Sequence, residues 1–377
     1  MLSIIFALPT IKNQLSTNMK TRNFILSMIA LCCMTMAQAQ RTDVMTATLQ
    51  HGDDVTVFTS PTAFANAYNA AADGDVITLS PGTFNTVSTI TKSITIYGSG
   101  WEKDATNEII PTIISGNLDY QTGSDETSLE HIRLEGVYVN GAVLVKQTSD
   151  MVISKCRINY FQISGNNAAG ISIRQCYLTN NNDTYNWDGC IRGSAFVNGL
   201  EVRNCYLAGL NQYNNSSSQV LIDHCLLPYS VVAYNNLDMH SHCPALYTNN
   251  IIAQLNNSND GPLCLQAGSI ARNNIFISVS SPDQLNGCTL ENNWLRNDWL
   301  PLGSLFADGN TNNLGYSATR TFTLNAPETF VGTDGTPVGI NGGGLTWNKI
   351  PSTPIVKNLQ LNVSGTNLDV TFDAETR

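Results

Sequence analysis

A short pattern recurs along residues 132–295 and limits what this chain can fold into. With Cys176 as position zero, Ile171 and Ile173 lie five and three residues before it and Leu178 two after. The same template fits Cys156, Cys205 and Cys225, then continues with Asn at the key position in Asn250, Asn274 and Asn293; Val137 fits upstream. Successive zero positions are 19, 20, 29, 20, 25, 24 and 19 residues apart. Constant internal spacing with variable spacers is the mark of a repeat array carrying loop insertions. Each unit is a pair of inward side chains at the period of a strand, a sharp turn, and a second inward pair. Asn204, Asn249, Asn273 and Asn292 stand just before position zero. Asn tolerates the left-handed backbone that a sharp turn needs.

Such a unit is one coil of a parallel β-helix. A leucine-rich repeat has a similar period, but the chain lacks both the Leu-x-x-Leu-x-Leu pattern and the helical return segment. The expected fold is all-β: a right-handed parallel β-helix whose eight coils, stacked at about 4.8 Å, make a rod of roughly 40 Å.

The flanks read differently. Met19-Lys20-Thr21-Arg22 followed by an apolar run to Met36 reads as a secretory signal, with Ala37-Gln38-Ala39 as the small-x-small cleavage site. Residues 1–39 form this leader and the segment before it. Val55–Phe58 is the expected first strand, and Ser60-Pro61 opens a capping helix with Phe64, Ala67, Tyr68 and Ala71 on one face. Residues 40–130 hold this N-terminal cap and the first coils, with an irregular loop at 104–130. The coils run over 131–297. Residues 298–377 are an irregular segment followed by an alternating hairpin, Leu359 to Val363 and Leu368 to Phe372, expected as a C-terminal cap.

Two stretches resemble the entry segment of pectate-lyase-like proteins: Phe64 through Ala72-Asp73-Gly74-Asp75-Val76-Ile77 to Phe84, and Ile94-Thr95-Ile96-Tyr97-Gly98-Ser99-Gly100. The run up to Pro351-Ser352-Thr353-Pro354 resembles the closing segment of secreted β-helix proteins of Gram-negative bacteria. These resemblances imply the right-handed β-helix fold and a secreted or cell-surface location. They do not imply the chemistry. The calcium-binding Asp cluster and the Arg-x-Pro-x-x-Arg motif of the lyases are missing. Asn186-Trp187-Asp188-Gly189 is only faintly similar to the Asn-Thr-Asp-Gly of polygalacturonase-like hydrolases. Val220-Leu221-Ile222-Asp223-His224 resembles a stretch of one lyase family that lies away from its calcium site.

Charge narrows the partners. Removing residues 1–39 leaves 16 basic and 29 acidic residues, a net charge of −13. Nucleic acid and anionic membrane surfaces are disfavoured, and no segment is long enough to insert in a membrane. Eight cysteines remain after the leader. Four of them occupy one inward column, spaced too widely for ideal disulfides, and are expected as a ladder of buried thiols. No spacing suits structural zinc. Arg174, Arg203, Asp223, Arg272 and Glu291, two before position zero, form an outward charged column.

The insertions carry the functional expectation. The spacer after Cys176 holds Asp183, Tyr185, Trp187 and Asp188, followed by Arg192; the spacer after Cys225 holds Tyr234, Asp238, His240 and His242. Tyr and Trp beside carboxylates suit a sugar, because the ring stacks on its apolar face while the acids accept hydroxyl protons. The expected partner is an extracellular polysaccharide bound by a monomer without a cofactor, although a groove of this kind could take up calcium. Were the site catalytic, Asp188 and His240 would be the acid–base pair, in a lyase or a hydrolase. A structural or adhesive surface protein is the alternative.

Overall fold

In the computed structural model the described residues are 45–122, 128–179, 190–193, 195–208, 211–213, 219–230, 244–254, 265, 267–277, 279, 281–285, 287–296, 305–308, 314–364 and 367–375. They form a parallel β-helix, in which three parallel ladders carry the stack.

The first ladder lies before the turn. It stacks β3 (Val76–Leu79), β5 (Thr95–Tyr97), β8 (Ile132–Glu135), the end of β9 (Tyr138–Ser154), the end of β10 (Arg157–Arg174), β13 (Val197–Arg203), β16 (Val220–Asp223), β18 (Leu246–Thr248), β20 (Ile270–Arg272) and β22 (Thr289–Glu291). The second lies after it: β4 (Gly82–Asn85), β6 (Thr112–Ser115), the starts of β9 and β10, β11 (Tyr177–Leu178), β14 (Tyr206–Leu207), β17 (Leu226–Ser230), β19 (Ile251–Gln254), β21 (Ile275–Ile277) and β23 (Trp294–Arg296). The third is shorter, joining β7 (Leu118–Tyr120), the middles of β9 and β10, β12 (Ile191–Gly193) and β15 (Asn211–Tyr213).

The register is the one the template sets. Ile153, Ile173, Val202, Ile222, Tyr247, Ala271 and Leu290 stack in one column. All but Leu290, in the last coil, are buried. The turn before position zero is left-handed in every coil: Gly136, Lys155, Gln175, Asn204, His224, Asn249, Asn273 and Asn292 all have φ between 49° and 71°. The conformation is thus general, and four Asn residues only made half of it visible in the sequence. One expectation is corrected: residues 104–130 are not wholly irregular, because β6 and β7 form another coil within them.

The zero column is a continuous hydrogen-bonded ladder. The N–H groups of Cys156, Cys176 and Cys205 each point at the Sγ of the next coil at 3.3–3.4 Å. The column then changes residue type without a break: Cys225 N–H donates to Asn250 Oδ1 at 2.7 Å, and the amides of Asn250 and Asn274 donate to Asn274 and Asn293 at 2.9 and 3.0 Å. Their remaining amide hydrogens reach carbonyls of the preceding coils, so these buried polar groups are satisfied. The four ladder cysteines are unpaired and fully buried, and burial pushes the Cys156 and Cys205 thiols up. A thiol reagent should label them slowly in the native protein and completely after denaturation. Half-buried Cys288 should be the first of the six described cysteines to react. Recovery of a disulfide between any two ladder cysteines would contradict this packing.

The first coil is covered by a hairpin, β1 (Thr46–His51) with β2 (Asp54–Thr59), and by the helix α1 (Ala63–Ala70), which buries Phe64, Ala67 and Tyr68. Two expectations are corrected here: Val55–Phe58 lies in the second strand of this hairpin, and the helix begins at Ala63 with Thr62, not Ser60, at its N-cap. β1 pairs antiparallel with β3 and so closes that edge.

The largest departure from expectation lies in residues 305–308 and 314–353. They form a strap that runs back along the outside of the stack. Residues one after position zero (Tyr177, Tyr206, Leu226, Ile251 and Ile275) point outward and yet are buried, beneath Leu305, Phe306, Leu314, Phe322, Leu324, Val338 and Ile340. The turn column anchors the strap in reverse coil order. Asn273 donates to Val331 O at 2.9 Å, Asn249 accepts from Thr333 N–H at 2.7 Å, and Asn204 donates to Ile340 O and Gly342 O at 3.0 and 2.7 Å. Gln175 donates to Thr346 O, and Glu135 accepts from Ser352 N–H at 2.6 Å. The hairpin β24 (Ile355–Ser364) with β25 (Asn367–Glu375) pairs with no other strand among the described residues. The chain enters it beside Gly98 and Gly136, in the early coils.

Candidate functional site

The two insertions that differ most from the repeat have roots on one side of the rod. The first follows β11 and the second follows β17, and β11, β14 and β17 are successive neighbours in the second ladder. Both therefore leave from the same edge of the same sheet, two rungs or about 10 Å apart. Asp183, Tyr185, Trp187 and Asp188 of the first, and Tyr234, Asp238, His240 and His242 of the second, lie outside the described residues.

Arg192 is described. The first insertion rejoins the rod at Cys190, and Arg192 sits in β12 on the third ladder. Ile191, the residue before it on the strand, is buried, which turns Arg192 to the outer side. There its guanidinium lies over the Tyr160 ring at 4.0 Å from the centroid. Gln162 is paired directly with Arg192, one strand away. Tyr160 and Gln162 were not singled out from the sequence, although a signal exists. Tyr160-Phe161-Gln162-Ile163 alternates strictly, with Phe161 and Ile163 fully buried. Alternation on a strand leaves the polar partners facing out.

The arrangement suits a sugar. Stacking occupies the face of the guanidinium and leaves the direction of its N–H donors in the plane. The Gln162 amide can both donate and accept, as a hydroxyl-rich ligand requires. Close strand packing underneath is enforced by Gly193, at φ 131°, where a Cβ would lie 2.1 Å from Ile163 O. No group of three His, Cys, Asp or Glu side chains among the described residues converges as metal ligands.

Asp223 and His224 form the other polar cluster, and the strap covers it. His224 is 1% exposed, with Nδ1 3.1 Å from Asp223 Oδ1 and Nε2 3.2 Å from Thr336 Oγ1 and 3.6 Å from Asp334 Oδ2. Arg203 pairs with Asp223 at 2.6 Å, and Thr248 Oγ1 and Asn249 Nδ2 donate to it. Burial pushes the Asp223 carboxyl up. The hydrogen bonds from His224 and Thr248 and the charges of His224 and Arg203 outweigh that and hold it below the usual carboxylate range. Gly342 packs on the imidazole, where a Cβ would meet His224 Cδ2 at 2.5 Å. This pair joins strap to coil and is buried between them. The outward charged column is otherwise as expected, with Arg272 paired to Glu291 at 2.7 Å.

No protein-family model, no curated protein and no solved structure matches the chain. No helix among the described residues is long and apolar enough to cross a membrane.

Proposed function

We propose that this chain is an exported β-helix protein that binds extracellular polysaccharide on the outer side of the third ladder. The reading rests on one observation: Arg192 stacks on Tyr160 beside Gln162, on the strand where the Trp- and Tyr-bearing insertion rejoins the rod. Support comes from the common edge from which both insertions leave, and from the aromatic and acidic residues they carry. In this reading Trp187 and Tyr185 stack on sugar rings. Asp183, Asp188 and Asp238 accept hydroxyl protons, and Tyr234 and His242 extend the contact.

The test is affinity electrophoresis against a panel of soluble polysaccharides, with and without calcium. At least one should retard the parent protein. Trp187→Ala and Arg192→Ala should each weaken that binding about tenfold, equivalent to roughly 1.4 kcal/mol, with unchanged thermal midpoints. Retardation by no polysaccharide, or full retention by both variants, would contradict the reading and favour a structural or adhesive role. If the bound polysaccharide is also cleaved, Asp188→Asn should abolish turnover and retain binding, with His240 as its acid–base partner.

A further inference from the structure

Three side chains near the start of the third ladder form a closed triangle. Tyr120 and Val145 are paired, inward and fully buried, so Gln121 and Lys146, one residue on, face each other across adjacent coils on the outer side. Lys146 Nζ lies 2.7 Å from Gln121 Oε1 and 3.2 Å from Asp119 Oδ2, and Gln121 Nε2 donates to the same Asp119 oxygen at 3.3 Å. Asp119 is 17% exposed, and its other oxygen, Oδ1, is buried without a hydrogen-bond partner among the described residues.

An amine, a carboxamide and a carboxylate touching both nitrogens are the parts of a transamidation. We propose that Lys146 and Gln121 join in an isopeptide bond, with Asp119 as the proton carrier. Asp119 takes a proton from the lysine ammonium, and the free amine pair attacks Gln121 Cδ. The tetrahedral centre collapses as Asp119 passes the proton to Nε2. The Cδ–Nε2 bond breaks, ammonia leaves and takes up the second proton lost from Nζ, and a secondary amide joins Nζ to Cδ. Atoms and charge balance as ammonium plus carboxamide giving secondary amide plus ammonium ion, with no oxidant or reductant. Holding the reactants on neighbouring rungs of a rigid ladder supplies the proximity that such a slow reaction needs, and one carboxylate serves as base and then as acid. The product would staple two coils and close a loop of 25 residues in the unfolded chain.

Tryptic peptide mapping of the denatured full-length protein decides the matter. Acylated Lys146 resists trypsin, so residues 104–133 should be recovered joined to residues 134–155, lighter by one ammonia than the two peptides together. Lys146→Arg and Asp119→Asn should both give the unlinked peptides. Recovery of the parent's peptides at their sequence masses, with cleavage after Lys146, would overturn the proposal even if neither variant folds. A link persisting in Asp119→Asn would overturn the role of the carboxylate.

Discussion

Replacing Ile222 by Asp should leave no folded protein. Ile222 is fully buried in the first ladder, between Val202 and Tyr247 on the neighbouring strands. A carboxylate there has neither a cation nor a donor, and an isolated ionised group in an apolar interior costs far more than the few kcal/mol of stability that a domain holds. The control is one residue away. Leu221 faces out and is half-buried, so Leu221→Asp should change stability by only about 1 kcal/mol. Circular dichroism and size-exclusion chromatography of the two variants test the register directly, since a one-residue slip would exchange their behaviour. A cooperative thermal transition for Ile222→Asp near that of the parent would contradict the assigned coils.

The strap should carry the second large effect. Phe306 is fully buried and packs edge-on against Phe322 at 6.0 Å, with the Arg320 guanidinium 5.5 Å from its ring. Phe306→Ala removes a large side chain from a two-sided cluster and should cost about 3–5 kcal/mol in denaturant unfolding. The loss should appear first as proteolysis within residues 314–349, because among the described residues no strand of the coils pairs with the strap, which is held by side-chain anchors and by the Gly339 N–H to Asn249 O bond. Unchanged stability would mean that the strap is not part of the cooperative unit. A repeat array held only by nearest neighbours can fray from its ends. By contrast, a strap anchored from Asn273 to Glu135 ties distant coils together.

The coils were legible in the sequence because their inward positions recur at fixed offsets, and because Asn before position zero betrays the left-handed turn. The strap was half legible. Tyr206-Leu207, Leu226-Leu227 and Ile251-Ile252 are adjacent apolar pairs without alternation, which signals burial on both faces of a strand. What covers them could not be read, since residues 305–342 have no period to match against anything. The third ladder was hidden for a related reason. Its strands continue from the second ladder inside β9 and β10, so no turn residue marks where one ends and the next begins. At the candidate site, the lengths and residue types of the insertions were visible, as was Arg192. The platform beneath was overlooked, although the alternation at Tyr160–Ile163 contains it. Insertions obey no template, so sequence spacing alone does not fix where Trp187 or His240 point.

Hydrogen exchange read by mass spectrometry, with and without a polysaccharide that retards the protein, tests the proposed face most directly. Slowed exchange is expected in residues 160–163 and 191–193 and in the peptides spanning both insertions, while the strap and the first ladder stay unchanged. Slowing confined to the strap or to the first ladder would place the ligand elsewhere and contradict a binding face at Tyr160, Gln162 and Arg192.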